Sequence, residues 1–309
     1  MSTVYLEYLP EFDAYGIKKE VIERLTQQNE VAEILLPEEF NYKPSASAPT
    51  VGFLLGWDTS ASGDEYYSVG KSYLQAIMNT GAKIRFLDYD NPYKQMQSCH
   101  GAILPGGSFN NPENFYIDGQ VLGDVVGKRY FAYRSVIAQA HKTKKPLLGI
   151  CAGAQMIGAI LGDMKMYRNV QKEVLHSAVH KPKQDTDVRV HQIKLIKDTP
   201  IFDIMGIEPT NKYITINSRH NQSMVLGALQ DYVSNSPKVK MNIYAISDSD
   251  GIPEIWGNEK AGILCIQGHP EDLIEDNKMQ NLYNYIMIKA RKYKNSLEAK
   301  NISKDNYTR

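Results

Sequence analysis

The chain has few cysteines, no excess of charge of either sign and no long hydrophobic run. Its three cysteines, Cys99, Cys151 and Cys265, are too few and too scattered for a disulfide framework, and no CxxC pair suggests a zinc site. With 35 basic and 35 acidic residues, no general field attracts nucleic acid or anionic membranes. The chain also lacks a basic and apolar leader and any apolar stretch of about 20 residues. These absences predict a reducing compartment, most simply the cytoplasm.

The length and the order of elements predict an α/β fold. A chain of 309 residues, 42% of them hydrophobic, can bury the core of one domain of about 200 to 250 residues. Strands and helices alternate up to residue 161, which predicts a mostly parallel sheet with helices on both faces. The predicted elements are strands at 51–55, 83–87 and 102–104, and helices at 67–79 and 130–142. Five strand-like segments then predict a small antiparallel annex: 188–196, 213–216, 241–246, 254–256 and 263–266.

The ends of the chain differ in character from its middle, so we divide it into an extension at 1–49, an α/β domain at 50–293 and a polar tail at 294–309. An amphipathic helix is predicted at 17–29, either packed on the core, which we favour, or acting as a lid or docking element. A long helix at about 272–293 closes the domain, and the tail after it is expected to be frayed.

Cys151 lies where an apolar strand gives way to a helix. The segment 146–155, PLLGICAGAQ, places Gly149 and Gly153 two residues to either side of it. This spacing is typical of a nucleophile elbow, a sharp strand-to-helix turn in which small neighbours let the helix pack closely. The helix N-terminus favours thiolate over thiol. The alternative is a buried cysteine that only fills the core.

A second apolar strand ends in the sequence GHPE at 268–271. A cysteine nucleophile needs a base to accept its proton and a third group to orient that base. His269 and Glu271 can fill these roles, because residues two apart in an extended segment point the same way, and Pro270 restricts His269 to extended geometry. Alone, the pattern is also that of a turn with an incidental acid. Together with Cys151 it predicts a catalytic triad.

A short strand at 101–104 runs into Pro105, Gly106 and Gly107. A turn without side chains in the way suits backbone N–H groups that are aimed at a developing oxyanion. Alone, it is an ordinary strand-ending turn. With the other two motifs it predicts an oxyanion hole formed by the N–H groups of Gly107 and Ala152.

In this order, the motifs resemble those of class I glutamine amidotransferase-type hydrolases: LPGG at 104–107, GICAG at 149–153 and GHPE at 268–271. Within that superfamily, three segments are similar to the branch that hydrolyses gamma-glutamyl bonds, such as gamma-glutamyl-gamma-aminobutyrate hydrolase: INSRHNQ at 216–222, MNIYAIS at 241–247 and GIPEIW at 251–256. The resemblance covers roughly residues 50 to 291, and it implies that 50–293 is the catalytic domain.

The resemblance implies acyl transfer to water. Cys151 would attack the side-chain carbonyl of a gamma-glutamyl amide while the N–H groups of Gly107 and Ala152 hold the oxyanion. His269, oriented by Glu271, would protonate the leaving amine and then activate the water that resolves the thioester. This chemistry requires no metal and no organic cofactor. The expected partner is a small gamma-glutamyl compound, with no nucleic acid and no membrane, and a homo-oligomer is left open.

Four residues are candidates for substrate contact: Gly106, Gln155, Arg219 and His220. By resemblance, Gln155 would hold the glutamyl head group one helical turn after Cys151, with helix packing as the alternative. Arg219 could pair with a substrate carboxylate or lie exposed in a loop, and His220 would either approach the pocket or stabilise its loop. Five other histidines lack partners at an informative spacing and are predicted to be surface or structural: His100, His141, His176, His180 and His191.

The sequence departs from the gamma-glutamyl-aminobutyrate branch beside the expected site. Ala152 stands where that branch usually has an arginine, and Gly268 where a bulky aromatic residue is common. Both departures are expected to leave space for a larger leaving group. Three hypotheses therefore remain: a free-standing gamma-glutamyl hydrolase, a glutaminase subunit that passes ammonia to a separate synthase, and a catalytically quiet binding protein that keeps the fold.

Overall fold

The computed structural model describes residues 2–107, 111–119, 127–175, 177, 180–181, 189, 191–226 and 237–307, with side chains up to 300. The strands are β1 Ser2–Tyr5, β2 Glu7–Leu9, β3 Ala14–Lys18, β4 Ala32–Leu35, β5 Thr50–Leu54, β6 Gly56–Thr59, β7 Glu65–Gly70, β8 Lys83–Leu87, β9 Gly101–Leu104, β10 Leu147–Ile150, β11 Met166–Tyr167, β12 His191–Leu195, β13 Tyr213–Ile216, β14 Ser223–Met224, β15 Asn242–Ser247, β16 Pro253–Asn258 and β17 Ile263–Ile266. The helices are α1 Lys19–Gln27, α2 Lys71–Asn79, α3 Pro92–Gln97, α4 Lys128–Thr143, α5 Ala152–Gly162, α6 Val170–Glu173, α7 Ile201–Met205 and α8 Asn277–Tyr307.

A nine-stranded sheet runs through the described part of the chain in the order β13-β12-β15-β16-β17-β10-β9-β5-β8. The five strands from β17 to β8 are parallel. Four of them, β17, β10, β9 and β5, are almost entirely buried, as expected of strands that are covered on both faces, whereas the edge strand β8 is only partly buried. By their mutual contacts the helices form two groups: α3, α4 and α5 in one, and α2, α7 and α8 in the other. Of these, α5 and α8 contact β10. The α/β fold predicted from the sequence is confirmed.

The predicted annex is the antiparallel part of this same sheet. Strands β16, β15, β12 and β13 continue it beyond β17, each antiparallel to its neighbour. Short loops join β15 to β16 and β16 to β17, whereas the short helix α7 lies between β12 and β13. Three predicted positions within the chain, His176, Val188 and Val190, lie outside the described residues.

The helix predicted at 67–79 is wrong for its first four residues. Residues 67–70 belong to β7, where β-branched and aromatic side chains favour a strand, and the helix α2 begins only at Lys71. The partner of β7 is β3, with Tyr15 opposite Val69 and Gly16 opposite Ser68. A single-segment pattern could not reveal that pairing, because the partner strand lies in the N-terminal extension.

The first 49 residues pack against the rest of the chain. Strands β2 and β3 form a four-stranded sheet with β7 and β6, and the predicted helix is present as α1. Ile22 on α1 is only 1% exposed and belongs to the main core. The favoured interpretation of this helix, packing on the core, is therefore confirmed. The division into three segments stays a prediction.

The closing helix is later and longer than predicted. Pro270–Leu273 is a 3-10 turn, so α8 starts at Asn277, after Asp276, whose side chain accepts a hydrogen bond from the Lys278 N–H. At the other end the helix continues to Tyr307, through residues for which a frayed tail was expected. Good helix formers and an i,i+4 pair between Lys294 and Glu298 favour this extension.

The topology gathers the three motifs at one edge. Strands β9, β10 and β17 are parallel neighbours, so their carboxyl ends, which lead into Gly106, Cys151 and His269, meet at the same edge of the sheet. Ligand sites of open α/β sheets form outside such carboxyl ends. Among the described helices, none combines the length and the hydropathy that a bilayer crossing requires.

We predict that Ile22→Ala destabilises the whole protein by about 2 to 5 kcal/mol, because it leaves a cavity in the shared core. Denaturant unfolding should show one transition with a lower midpoint and an unchanged slope. Gln27→Ala, on an exposed position of the same helix, is the control and should leave the midpoint within experimental error. Two separate transitions would show that the extension folds as its own unit.

Candidate active site

Cys151 forms a strained turn between β10 and α5. Its backbone has φ 50° and ψ −112°, an unfavourable combination for a residue with a side chain. A Cβ on Gly149 would lie 2.7 Å from Ala154, and one on Gly153 would collide with the carbonyl of Leu104. The helix can therefore pack against the strands only with glycine at both positions. This is the geometry of a nucleophile elbow.

His269 and Glu271 are in direct contact. His269 Nδ1 lies 2.6 Å from Glu271 Oε1, and the carboxylate is buried. The local geometry is not the extended segment that was expected, because Glu271 lies in the 3-10 turn Pro270–Leu273. That turn brings the carboxylate back towards the ring. The predicted contact is thus present, and the predicted reason for it is wrong.

Asn217 holds the backbone of His269 from both sides. Its side-chain nitrogen donates to the His269 carbonyl at 2.8 Å, and its side-chain oxygen accepts from the His269 N–H at 3.1 Å. This pair of hydrogen bonds holds in place the backbone from which the imidazole side chain extends. The sequence shows Asn217 only as part of the motif INSRHNQ, since it lies 52 positions before His269 and no spacing signal links the two.

Electrostatics in the site favour a charged pair. Burial by itself raises the pKa of Cys151, but the positive charge of His269 and the hydrogen bond between them outweigh it and hold the pKa below its ordinary value. Burial likewise lowers the pKa of His269, yet the charges of Glu271 and Cys151 outweigh this effect and raise the pKa to about 10. The geometry therefore favours thiolate and imidazolium.

A buried arginine holds the glycine turn. Arg129, in the first turn of α4, donates from Nη2 to the carbonyl of Gly106 at 2.8 Å. Tyr133, one turn later, donates to the carbonyl of Pro105 at 2.8 Å. The Gly107 backbone, with φ 129°, passes so close to the Arg129 guanidinium that a Cβ there would collide with it. Sequence reasoning missed Arg129, since nothing in its local pattern distinguishes it from a surface helix residue.

The orientation of one peptide group follows from this contact. In a planar trans peptide the C=O of Gly106 and the N–H of Gly107 point in opposite directions, and the structure has no cis peptide bond among its described residues. With the C=O directed at Arg129, the N–H of Gly107 faces away from it. The role of that N–H, with that of Ala152, in an oxyanion hole stays a prediction.

Tyr73 closes the other side of the turn. Its hydroxyl accepts the N–H of Gly106 at 3.0 Å. Gly106 also lies against the reacting groups, since a Cβ built on it would be 3.0 Å from both the Cβ of Cys151 and Cε1 of His269. Glycine at this position is therefore required for close approach, and the N–H of Gly106 is occupied by Tyr73.

The remaining substrate candidates lie on the same cavity, each with protein partners. Gln155 donates to the Gln222 carbonyl at 2.8 Å and to Gln267 Oε1 at 3.1 Å. Arg219 pairs with Asp272 at 2.6 Å, one third of its side chain being exposed. His220 is buried, with Nδ1 2.9 Å from the Gln222 carbonyl. Their roles towards a substrate stay predictions.

The cavity has a volume of about 590 Å³ and is lined by Cys151, Ala152 and His269 among others. Its wall carries charges of both signs, namely Asp58, Arg168, Lys181 and Arg219. Phe12 and Ala14, from the N-terminal extension, also line it.

The space expected at Gly268 is not there. A Cβ at this position would lie 2.9 Å from the Asn217 carbonyl and 3.3 Å from Ile216, and Gly268 is not among the described residues that line the cavity. The backbone and side chain of β13 fill the place that an aromatic residue would need. Of the two departures, only Ala152 faces the cavity.

Fold and site together define a class I glutamine amidotransferase-like protein with a cysteine elbow. The family model described as Peptidase C26 matches residues 56–271, and the chain belongs to that family. Membership in this family supports a cysteine-dependent amide hydrolase.

Individual relatives are more distant. The "Putative glutamine amidotransferase PB2B2.05" of Schizosaccharomyces pombe is 28% identical over 198 residues, 62% of this chain and 70% of that protein. The glutaminase domain of Trypanosoma brucei CTPS superposes with TM-score 0.51 at 16% identity, covering 79% of this chain and 94% of that one. A Thermoplasma acidophilum protein named as a putative GMP synthase component gives 0.52 at 15% identity, covering 81% and 98%. These two structures show the fold alone.

We predict that an alkylating reagent labels Cys151 first and at lower pH than the other cysteines. The pKa of Cys151 is below its ordinary value, whereas burial raises that of Cys99 to about 11 and that of Cys265 well above its ordinary value. Labelling followed by peptide mass spectrometry should therefore show Cys151 reacting below pH 9, where the other two remain thiols. Glu271→Gln should lower the pKa of His269, because the imidazolium loses the carboxylate that stabilises it. First labelling at Cys99 would contradict the elbow assignment.

We predict that Arg129→Ala lowers kcat for hydrolysis of a gamma-glutamyl amide by up to about 10²- to 10³-fold, the loss found when one oxyanion donor is removed. KM should change little, because the contact positions the turn rather than the substrate. Arg129→Lys should recover part of the rate, and Arg134→Ala, at an exposed position of α4, is the control. An unchanged alkylation rate at Cys151 would exclude general damage, and a kcat equal to that of the control would show that Arg129 does not position the turn.

Proposed function

We propose that the protein hydrolyses a gamma-glutamyl amide bond of a small molecule through a glutamyl thioester. The observation that carries the proposal is the contact of His269 with both Cys151 and Glu271, where Cys151 and His269 line a charged cavity. No part of this chemistry calls for an organic cofactor or a metal ion.

In the first half-reaction, the Cys151 thiolate attacks the amide carbonyl carbon, and the developing oxyanion is stabilised by the N–H groups of Gly107 and Ala152. When the tetrahedral intermediate collapses, the C–N bond breaks and the His269 imidazolium gives its proton to the leaving amine. The glutamyl group remains as a thioester on Cys151.

In the second half-reaction, the neutral His269 accepts a proton from water as that water attacks the thioester. The C–S bond breaks, glutamate leaves, and the thiolate and imidazolium pair is restored. Glu271 keeps Nδ1 of His269 protonated throughout, so that Nε2 is the nitrogen that exchanges protons.

The charges on the cavity wall support a gamma-glutamyl head group. Such a group carries an α-carboxylate and an α-ammonium at the end remote from the scissile bond. Arg219 and Lys181 provide cationic groups for the carboxylate, and Asp58 provides an anionic group for the ammonium. Because Asp272 already pairs with Arg219, we propose that Arg219 contributes through its remaining donors.

The size of the cavity supports a leaving group larger than ammonia. About 590 Å³ lies within the range of pockets that bury ligands of drug size, and Ala152 leaves the space beside the nucleophile open. The glutaminase hypothesis remains the second candidate, since relatives of this fold include a glutaminase domain. A quiet binding protein would not need the retained contact between His269 and Glu271. Cytoplasmic location and oligomeric state stay predictions.

We predict that kcat/KM rises from glutamine to gamma-glutamyl amides with longer alkyl chains, because each buried methylene contributes about 0.8 kcal/mol. Product release read by mass spectrometry measures this series, and Cys151→Ala is the blank. Ala152→Arg, which restores the residue usual in the related branch, should penalise the long amides more than glutamine. A preference for glutamine would favour the ammonia-supplying role, and no turnover of any amide would favour the binding protein.

A further inference from the structure

Three histidines and two acids form a buried cluster behind one wall of the cavity. We call it the histidine cluster: His180, His191, His220, Asp250 and Glu254. Of the two sequence-based alternatives for His180 and His191, surface or structural, their burial fits the structural one. The ring centroids of His180 and His191 are 4.8 Å apart, and those of His180 and His220 are 4.7 Å apart. His180 and Glu254 are fully buried, and His220 is 3% exposed.

The hydrogen bond of His180 to Asp250 determines its tautomer. Nε2 of His180 lies 2.8 Å from Oδ2 of Asp250. Because an ionised carboxylate only accepts hydrogen bonds, Nε2 must carry the proton. In the neutral ring, Nδ1 therefore presents a lone pair. That atom lies 3.5 Å from Glu254 Oε1 and has no hydrogen-bond partner among the described residues.

For His220 the same argument assigns the proton to the other ring nitrogen, Nδ1. Its Nδ1 lies 2.9 Å from the Gln222 carbonyl, which can only accept, so Nδ1 carries the proton. Nε2 then presents a lone pair. It lies 3.9 Å from the same Glu254 oxygen, beyond hydrogen-bond distance, and has no hydrogen-bond partner in the described part of the chain.

Three electron-pair donors thus converge on one buried point. Nδ1 of His180, Nε2 of His220 and Oε1 of Glu254 lie within 4.8 Å of one another. Without a cation between them, this arrangement is repulsive in a region of low dielectric constant. Both rings also have the outer hydrogen bond, to a carboxylate or a backbone carbonyl, that fixes metal-binding histidines.

We propose that His180, His220 and Glu254 bind a divalent transition-metal ion of the Zn²⁺ class. Two imidazoles and a carboxylate form a ligand set that zinc uses. Metal-to-ligand bonds of about 2.0 to 2.2 Å place ligand atoms about 3.3 to 3.6 Å apart in a tetrahedron. The observed distances to Glu254 Oε1 are 3.5 and 3.9 Å, and all three atoms lie within 4.8 Å of one another, so binding requires the two imidazoles to move closer together. His191, 3.0 Å from Glu254 Oε1, supports the carboxylate from outside.

The metal would brace the cavity rather than take part in the cysteine chemistry. Its ligands come from three places: the segment before β12, the loop after β13, and β16. His220, one of the three proposed ligands, is also a lining residue of the cavity. The backbone already links two of these segments, since the N–H of His220 donates to the His180 carbonyl at 2.9 Å.

The test uses the full chain with Cys151→Ser, so that the catalytic thiolate cannot capture the metal. After removal of metal with a chelator, Co²⁺ or Zn²⁺ is returned and the bound metal is counted by mass spectrometry. We expect about one ion per chain. X-ray absorption should show two imidazole ligands and no sulfur. Failure of the folded Cys151→Ser protein to take up either ion, or sulfur ligation, overturns the proposal.

Variants then locate the ion. His180→Gln and His220→Gln should each abolish uptake, whereas Asp250→Asn should weaken binding by about 10- to 100-fold, because it removes only an outer partner. His141→Gln, at an exposed position of α4, is the control and should bind normally. Uptake that is unchanged in both cluster variants overturns the assignment. Should those variants fail to fold, the imidazole count of the Cys151→Ser protein decides the matter. If a shared proton occupies the cluster in place of a metal ion, the folded protein will take up neither Co²⁺ nor Zn²⁺, and the proposal is overturned.

Discussion

The close packing of the elbow helix against its strands is the constraint on which the site depends. Cys151 keeps its strained backbone because its N–H donates to the Ile266 carbonyl at 2.7 Å and because Gly149 and Gly153 admit contacts that a Cβ would block. The N–H of Gly153 then donates to the Pro105 carbonyl at 3.1 Å. One turn thus fixes the position of the glycine loop and of the strand that leads to His269.

Burial determines how the charges in this chain must be arranged. An isolated buried charge is costly, and in the site the His269 imidazolium lies against both Glu271 and Cys151. In the histidine cluster the buried charge is the Glu254 carboxylate. The hydrogen bonds of His180 to Asp250 and of His220 to the Gln222 carbonyl leave each imidazole with a lone pair that faces this carboxylate. In the active site the compensating positive charge is the proton that makes His269 an imidazolium. In the histidine cluster we assign that charge to a metal ion.

The sequence predicted what local patterns encode. The elbow, the acid beside His269 and most strands of the sheet follow from short motifs and from periodicity. What it could not predict depends on contacts between distant segments: the pairing of β7 with β3, the hold of Asn217 on His269, and the gathering of His180 with His220. The error at Gly268 has the same origin, because Asn217 and β13 fill the space there.

The chemistry and the shape of the cavity arise from different parts of the chain. The residues we assign to the reaction all lie within 56–271, the stretch that the family model matches. Phe12 and Ala14 line the cavity but precede that stretch, and they are held in place by the pairing of β3 with β7. Strand β7 leads directly into α2, which carries Tyr73, and the Tyr73 hydroxyl accepts the N–H of Gly106. The extension is therefore linked to the turn at Gly106 through β7 and α2. The cavity wall therefore includes a segment that the family motifs do not cover, which is why those motifs alone leave the leaving group open.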